Sequence, residues 1–185
     1  MITIVSGLPR SGTSMMMKML EAGGLPALVD QVRTADIDNP KGYYEFERVK
    51  QLPADTAWLP EAEGKAVKMV SMLLYELPKD RPYQVVFMRR AMPEILASQK
   101  KMLLRRDANM VVDDAEMKQL FEGHLKNITA WLSEQSHLKV IEVWYNDMLK
   151  QAAQEAKRLN TFFGGTLDEA AMTSVVDETL YRNRA

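Results

Sequence analysis

The chain has no cysteine and only two histidines, His124 and His137, among its 185 residues. This composition excludes disulfides, thiolate metal sites, a cysteine nucleophile and a histidine-rich metal centre, so no metal is expected. The chain also lacks an excess of charge of either sign, since it has 24 lysines and arginines and 25 aspartates and glutamates. Binding to a nucleic-acid backbone needs a marked basic excess, and the sequence therefore predicts no general nucleic-acid partner.

Long hydrophobic runs are missing as well. No apolar stretch approaches the roughly 18 residues that a membrane span requires, and no basic segment followed by an apolar one marks a signal peptide. With 46% hydrophobic and 26% charged residues, the composition is that of an ordinary globular protein. We therefore expect a single cytoplasmic domain over residues 1–185.

Short apolar runs alternate with amphipathic segments along the chain. This alternation predicts an α/β fold of three layers, with a mostly parallel sheet of about five strands flanked by helices. Asn146 is placed to cap the helix after the last strand. A final short helix is expected to start near Leu167, with Asp168 and Glu169 in its first turn. The predicted strands are 2–6, 25–29, 65–70, 83–88 and 138–144, and the main predicted helices are 13–22, 43–52, 93–106 and 113–135.

The first strand leads into "SGLPRSGTSM", which nearly fits the phosphate-binding pattern G-x-x-x-x-G-K-S/T. Gly7 and Gly12 have the required spacing, but Thr13 stands where the pattern has lysine. Glycines let backbone N–H groups approach phosphate oxygens, and the helix that follows directs its positive dipole end at the same anion. The segment therefore predicts a phosphate-binding loop, with side-chain donors from Arg10, Ser11, Thr13 and Ser14.

The missing lysine limits which phosphate-containing ligand the loop is expected to bind. In nucleoside triphosphatases that lysine reaches the β- and γ-phosphates, and the hydroxyl after it holds Mg²⁺. With Thr13 in its place, and no clear aspartate at a strand end to hold a metal, metal-assisted triphosphate chemistry is disfavoured.

The segment "LPRSGTSM" resembles the 5′-phosphosulfate loop of the sulfotransferase superfamily, whose usual form is Pro-Lys/Arg-Ser-Gly-Thr-Ser/Thr. The resemblance implies a P-loop fold that binds the donor 3′-phosphoadenosine-5′-phosphosulfate (PAPS) and releases adenosine 3′,5′-bisphosphate (PAP). The family's second element is a strand followed by an arginine, with a serine eight residues later on the next helix. Both side chains hold the 3′-phosphate of the donor. "FMRRAMPEILASQKKM" keeps that spacing at Arg90 and Ser98, with Glu94 where the family often has an acidic residue.

The resemblance also implies catalytic residues. "NPKGYYE" is similar to a segment of bacterial and carbohydrate-type sulfotransferases in which a glutamate is the base, so Glu45 is the candidate base, with Asp36 and Asp38 as lesser candidates. In "VKMVSMLLYELP", Lys68 falls on a lysine of cytosolic sulfotransferases and would contact the transferring sulfuryl oxygens. Val70 falls on their catalytic histidine, which is therefore absent.

Further roles follow from the same resemblance. Arg10 would stabilise charge on the bridging oxygen and the leaving phosphate. In the C-terminal "LYRNRA", Arg182 or Arg184 would reach the 3′-phosphate, and a basic tail without that role is the alternative. His124 lies beside the apolar stripe of the long predicted helix, so a structural role is expected. Aromatic residues would line the acceptor site or the core, among them Tyr43, Tyr44 and Trp58.

These patterns together predict a sulfotransferase that moves a sulfuryl group from PAPS to a hydroxyl of a carbohydrate, a lipid or a small molecule. The chain is short for the family, so its acceptor site would be open, completed by a second subunit of a homodimer, or built for a bulky headgroup. Two alternatives stay open: a P-loop kinase that uses ATP and Mg²⁺, and a nucleotide-binding module without turnover. Thr13 weighs against the kinase, whereas Val70 leaves the non-catalytic module open.

Overall fold

The computed structural model describes residues 1–30, 44–107 and 113–176. Their strands form one parallel sheet of order β2-β1-β3-β4, in which β1 is fully buried. The strands are β1 Ile2–Gly7, β2 Ala66–Lys68, β3 Tyr83–Arg89 and β4 Leu138–Trp144. The helices are α1 Thr13–Ala22, α2 Met92–Arg106, α3 Asp114–Glu134, α4 Tyr145–Lys150, α5 Ala152–Phe162 and α6 Glu169–Ser174, and the 3₁₀ segments are Glu47–Gln51, Leu59–Ala62 and Ser71–Glu76.

The sheet has apolar layers on both faces, as the predicted α/β fold requires. Alternate residues of β3 point to opposite faces, so Val85 and Phe87 pack with α3 and the 3₁₀ segments, whereas Val86 and Met88 pack with α1, α4, α5 and α6. The methionines of α1 fill this second layer, because Met16, Met17 and Met19 are completely buried.

The part of the chain that the structure describes contains four strands, one fewer than the predicted sheet of about five. Residues 25–29 make only an isolated bridge between Ala27 and Ala66. The two hydrogen bonds there run from Ala66 N to Pro26 O and from Leu28 N to Ala66 O. Since Pro26 has no N–H group to extend the ladder, the segment stays a bridge at the edge of the sheet.

Two helix predictions were also wrong in detail. Among the described residues of the predicted helix 43–52, only Glu47–Gln51 is helical, as a 3₁₀ turn that stops at the extended Leu52 before Pro53. Asn146 does not cap a helix, because α4 already begins at Tyr145 and the Asn146 side chain bonds to α2 instead. The predicted final helix is present as α6, and Asp168, expected in its first turn, is instead its N-cap, whose side chain accepts a hydrogen bond from Ala171 N.

The parallel arrangement brings the carboxyl ends of the strands to one edge of the sheet, where open α/β sheets bind ligands. Gly7 at the end of β1 is in register with Met88, so the loop after β1 and the turn after β3 start side by side. Within the described ranges, no helix has both the length and the apolar character that a bilayer crossing demands.

Trp58 belongs to the core and not to a surface site. Its side chain is completely buried, its ring lies edge-on to Phe46 with centroids 5.7 Å apart, and its Nε1 donates to Asp55 O at 3.0 Å. We expect Trp58→Ala to lower the free energy of unfolding by about 3–5 kcal/mol, because it leaves a large cavity. Urea denaturation measures this, with Trp144→Ala as control: Trp144 is 41% exposed, and its loss should cost about 1 kcal/mol or less.

Candidate active site

The turn between β1 and α1 has an unusual backbone. Arg10 and Gly12 have φ angles of 68° and 99°, both in the left-handed region that favours glycine. For Arg10, which has a Cβ, this conformation costs about 1 kcal/mol or more. The first helical hydrogen bond runs from Met16 N to Gly12 O. The N–H groups of Thr13, Ser14 and Met15 therefore have no acceptor within the helix, as is usual for a first turn.

Close packing requires both glycines of the motif. A Cβ at Gly12 would lie 2.5 Å from Cδ2 of the Tyr145 ring, and one at Gly7 would lie 2.6 Å from both Met88 O and Ser11 Oγ. These distances are too short for any side chain. The loop is therefore clamped between β3 on one side and the start of α4 on the other.

On the β3 side, the loop meets the turn that the sequence paired with it. Arg10 Nε donates to Ser98 Oγ at 2.9 Å, and Arg90 Nη1 donates to the carbonyl oxygen of Arg10 at 3.0 Å. These contacts join residues that are 88 and 80 positions apart in the chain. Three of the predicted nucleotide-binding residues thus lie together.

Arg90 is held by residues from two further elements. Its Nε donates to Glu94 Oε2 at 2.8 Å, and its guanidinium carbon lies 4.4 Å from the centroid of the Tyr145 ring. Asn146 Nδ2 donates to the other oxygen of Glu94, also at 2.8 Å. The side chains of Arg90 and Glu94 are only 8% and 3% exposed. Hydrogen bonds and cation–π contact therefore fix the guanidinium.

Tyr145 and Asn146 were not predicted as site residues. The signal was present in the sequence, because "WYND" directly follows β4 and so lies at the same edge of a parallel sheet as the loop. Nothing in the residue types themselves marked them, since Tyr145 acts through contacts with Gly12 and Arg90, and Asn146 through its contact with α2.

On the β2 side, three other predicted residues meet. Lys68 Nζ lies 3.3 Å from Ser14 Oγ and 3.8 Å from Glu45 Oε1, and Lys50 Nζ lies 3.7 Å from Glu45 Oε2. The side chains of Lys68 and Glu45 are 12% and 18% exposed, so water screens their attraction less than at an open surface. The site thus has a β3 side and a β2 side, with the N-terminus of α1 between them.

Ser11 differs from its neighbours in the loop. It is completely buried, its backbone N–H donates to Leu8 O, and its hydroxyl faces Gly7. Across residues 1–30, 44–107 and 113–176, neither Ser11 Oγ nor the equally buried Ser6 Oγ has a hydrogen-bond partner. A buried hydroxyl left in this state costs about 1–3 kcal/mol.

Other residues singled out in the sequence take no part in these contacts or lie outside the described part of the chain. Val70, at the position of the family's histidine, is 47% exposed. The residues Asp36, Asp38, Tyr43, Arg182 and Arg184 lie outside the described residues. Among the described residues there is no cluster of three or more histidine, aspartate or glutamate side chains that could hold a metal ion.

The sequence matches the family model of the sulfotransferase domain over residues 2–184. The chain belongs to the sulfotransferase family. This match extends the resemblance from the loop and the Arg90 turn to nearly the whole chain, and it confirms the family predicted from those two motifs.

Two solved structures are similar to this sulfotransferase, and the first of them supports its fold. The sulfotransferase domain from the curacin biosynthetic pathway is similar with a TM-score of 0.55 and 14% identity, over 100% of this chain and 91% of that one. Mouse sulfotransferase SULT7A1 complexed with PAP has a TM-score of 0.49 and 17% identity, over 100% of this chain and 66% of that one. No curated protein matches the sequence.

The Arg90–Glu94 contact predicts a measurable stability effect. We expect Glu94→Gln to lower the free energy of unfolding by about 2–4 kcal/mol, because it removes the negative charge beside a nearly buried guanidinium. Chemical denaturation measures the change. The control is Glu122→Gln, where an exposed carboxylate 3.8 Å from Lys118 is removed and less than about 0.5 kcal/mol should be lost. Equal effects of the two variants would contradict the role given to Glu94.

Proposed function

We propose that this protein transfers the sulfuryl group of PAPS to a hydroxyl acceptor. The observation that carries the proposal is the meeting of Arg10, Ser98 and Arg90 beside the N-terminus of α1. Cationic and hydroxyl donors from distant parts of the chain converge there on one edge of the sheet. Such a group suits a ligand with more than one phosphate.

The residues present fit this donor. The N–H groups of the first turn of α1 suit an anion at a helix N-terminus, and Thr13 and Ser14 add hydroxyls there. An oxygen of that anion would also supply the partner that the buried hydroxyl of Ser11 lacks. On the β3 side, Arg90 and Ser98 would hold the 3′-phosphate. Arg182 is assigned to the same phosphate by resemblance alone.

We assign the transfer step to the β2 side of the site, where Glu45 and Lys68 lie. When bound, PAPS supplies the sulfuryl group and leaves as PAP with the electron pair of the broken sulfur–oxygen bond. Glu45 would take the proton of the acceptor hydroxyl, whose oxygen forms the new bond to sulfur. The Lys68 ammonium, 3.8 Å from Glu45, would stabilise the sulfuryl oxygens, and Arg10 would stabilise the leaving phosphate.

Calorimetric titration with PAP tests the donor site. We expect binding without added metal that is about 10- to 100-fold weaker in Arg10→Ala, because one charged donor is worth about 1.5–3 kcal/mol. Lys101→Ala is the matched control, since it removes an exposed cation from α2 and should bind PAP like the wild type. Preference for ATP with Mg²⁺, or no binding of either nucleotide, would refute the proposal.

Glu45→Gln tests the catalytic base. We expect single-turnover sulfuryl transfer to fall about 10²- to 10⁴-fold with the affinity for PAP unchanged, because the acceptor hydroxyl loses the group that takes its proton. Glu47→Gln is the control, because Glu47 also pairs with Lys50, at 2.6 Å, but lies outside the proposed machinery. A Glu45→Gln enzyme that keeps the wild-type transfer rate would contradict the role of Glu45 as the base.

A further inference from the structure

Tyr44, the residue before the proposed base, is held by α1. Its hydroxyl donates to Glu21 Oε2 at 2.6 Å, and its half-buried ring packs against the apolar layer that contains α1. Burial and the hydrogen bond to Glu21 raise the pKa of Tyr44 well above its usual range, so the hydroxyl keeps the proton that it donates. The proposed transfer uses neither of these two side chains.

The backbone of Tyr44 requires such an anchor. Its φ angle of 51° lies in the left-handed region, which costs a residue with a Cβ about 1 kcal/mol or more. A tyrosine keeps this conformation only where its surroundings enforce it, and a return to an ordinary φ would redirect the chain at Glu45. The hydrogen bond to Glu21 and the packing of the ring therefore fix the direction in which the chain enters Glu45.

The chain after Tyr44 is held by Asp30. Asp30 N donates to Glu45 O at 2.9 Å, and Glu47 N donates to Asp30 Oδ2 at 2.5 Å. The ring of Phe46 packs against the apolar layer on the other face of the sheet from the layer that Tyr44 contacts. Glu45 thus lies between two aromatic neighbours that are anchored in different layers.

One face of α1 contacts both Lys68 and the residue before Glu45. Ser14 in its first turn lies 3.3 Å from Lys68 Nζ, and Glu21 in its last turn accepts the hydrogen bond of Tyr44. Residues seven apart are separated by nearly two full turns, so Ser14 and Glu21 share a face of the helix. The helix whose N-terminus would receive the donor therefore also holds the neighbour of the base.

We propose that Glu21 and Tyr44 are positioning residues for sulfuryl transfer, because their hydrogen bond lets α1 set the place of the Glu45 carboxylate relative to the donor at the helix N-terminus. This inference rests on the proposed function, in which Glu45 is the base. The role assigned to both residues is indirect, without contact to the reacting atoms. Loss of the hydrogen bond would leave the donor in place and misalign the base, and small misplacements of a catalytic group slow a reaction strongly.

Hydrogen exchange measured by NMR tests the anchor without turnover. Tyr44→Phe removes only the hydroxyl, and we expect the Glu47 amide, which donates to Asp30, to exchange at least about tenfold faster, because a hydrogen bond to a charged group is lost. Glu21→Ala should have the same effect, whereas Glu21→Gln keeps an oxygen acceptor and should stay within about threefold of the wild type. The control is Tyr83→Phe, which removes a buried hydroxyl that has no partner within the described ranges and should leave this exchange unchanged.

Single-turnover kinetics tests the effect on the base. PAPS is mixed with excess enzyme, water, glucose and 1-octanol are offered as acceptors, and the conversion of PAPS to PAP is followed. We expect Tyr44→Phe to slow conversion about tenfold with the affinity for PAP unchanged, because only the alignment of the base is loosened. In the Glu45→Gln background, Tyr44→Phe should change the rate by less than about twofold, since its hydroxyl acts through Glu45. A merely structural hydroxyl would slow both backgrounds alike.

The outcomes separate this inference from the proposed function. Unchanged exchange at Glu47 in Tyr44→Phe would refute the anchor, whatever the rate of conversion. Faster exchange with a wild-type rate of conversion, or an equal loss of rate in the Glu45→Gln background, would refute the positioning role while the donor site and the base stand. A wild type that converts no PAPS would refute the proposed function, and the positioning role with it.

Discussion

The ion pair between Arg90 and Glu94 holds the candidate site together. Both side chains are nearly buried, and removing two charges from water is repaid only when the contact is close and the remaining polar atoms are satisfied. Glu94 meets this condition by binding Arg90 with one oxygen and Asn146 with the other, and Arg90 donates to the carbonyl oxygen of Arg10. One buried pair therefore links α2, α4 and the loop after β1.

The strained backbone of Arg10 follows from this linkage. A non-glycine residue keeps a left-handed φ only where its surroundings enforce it. Arg90 holds the carbonyl of Arg10, and the clamped glycines at 7 and 12 fix the chain on both sides. The guanidinium of Arg10 is thereby directed to Ser98 on α2. The enforced conformation of Arg10 thus lets the loop contact α2 as well as start α1, and this joins two parts of the site.

The sequence predicted what short-range chemistry determines. Gly7 and Gly12 mark the loop because backbone close to another chain segment excludes a Cβ. Arg90 and Ser98 were predicted through the resemblance to sulfotransferases, since neither residue alone indicates a site. The fifth strand was wrong because Pro26 interrupts a ladder that propensity alone would continue. Asn146 was assigned a local cap, whereas its actual partner is Glu94, 52 residues away. Such a contact depends on how the layers pack, which residue types do not encode.

The β2 side of the site couples charge to proton transfer in the proposed reaction. Lys68 lies between Ser14 at the start of α1 and the carboxylate of Glu45. When Glu45 takes up the acceptor's proton it loses its charge, and its attraction for the ammonium of Lys68 falls. The ammonium can then act more fully on the negatively charged oxygens of the transferring sulfuryl group. The same step would thus activate the acceptor and strengthen the electrostatic stabilisation, because both groups share one contact beside the helix N-terminus.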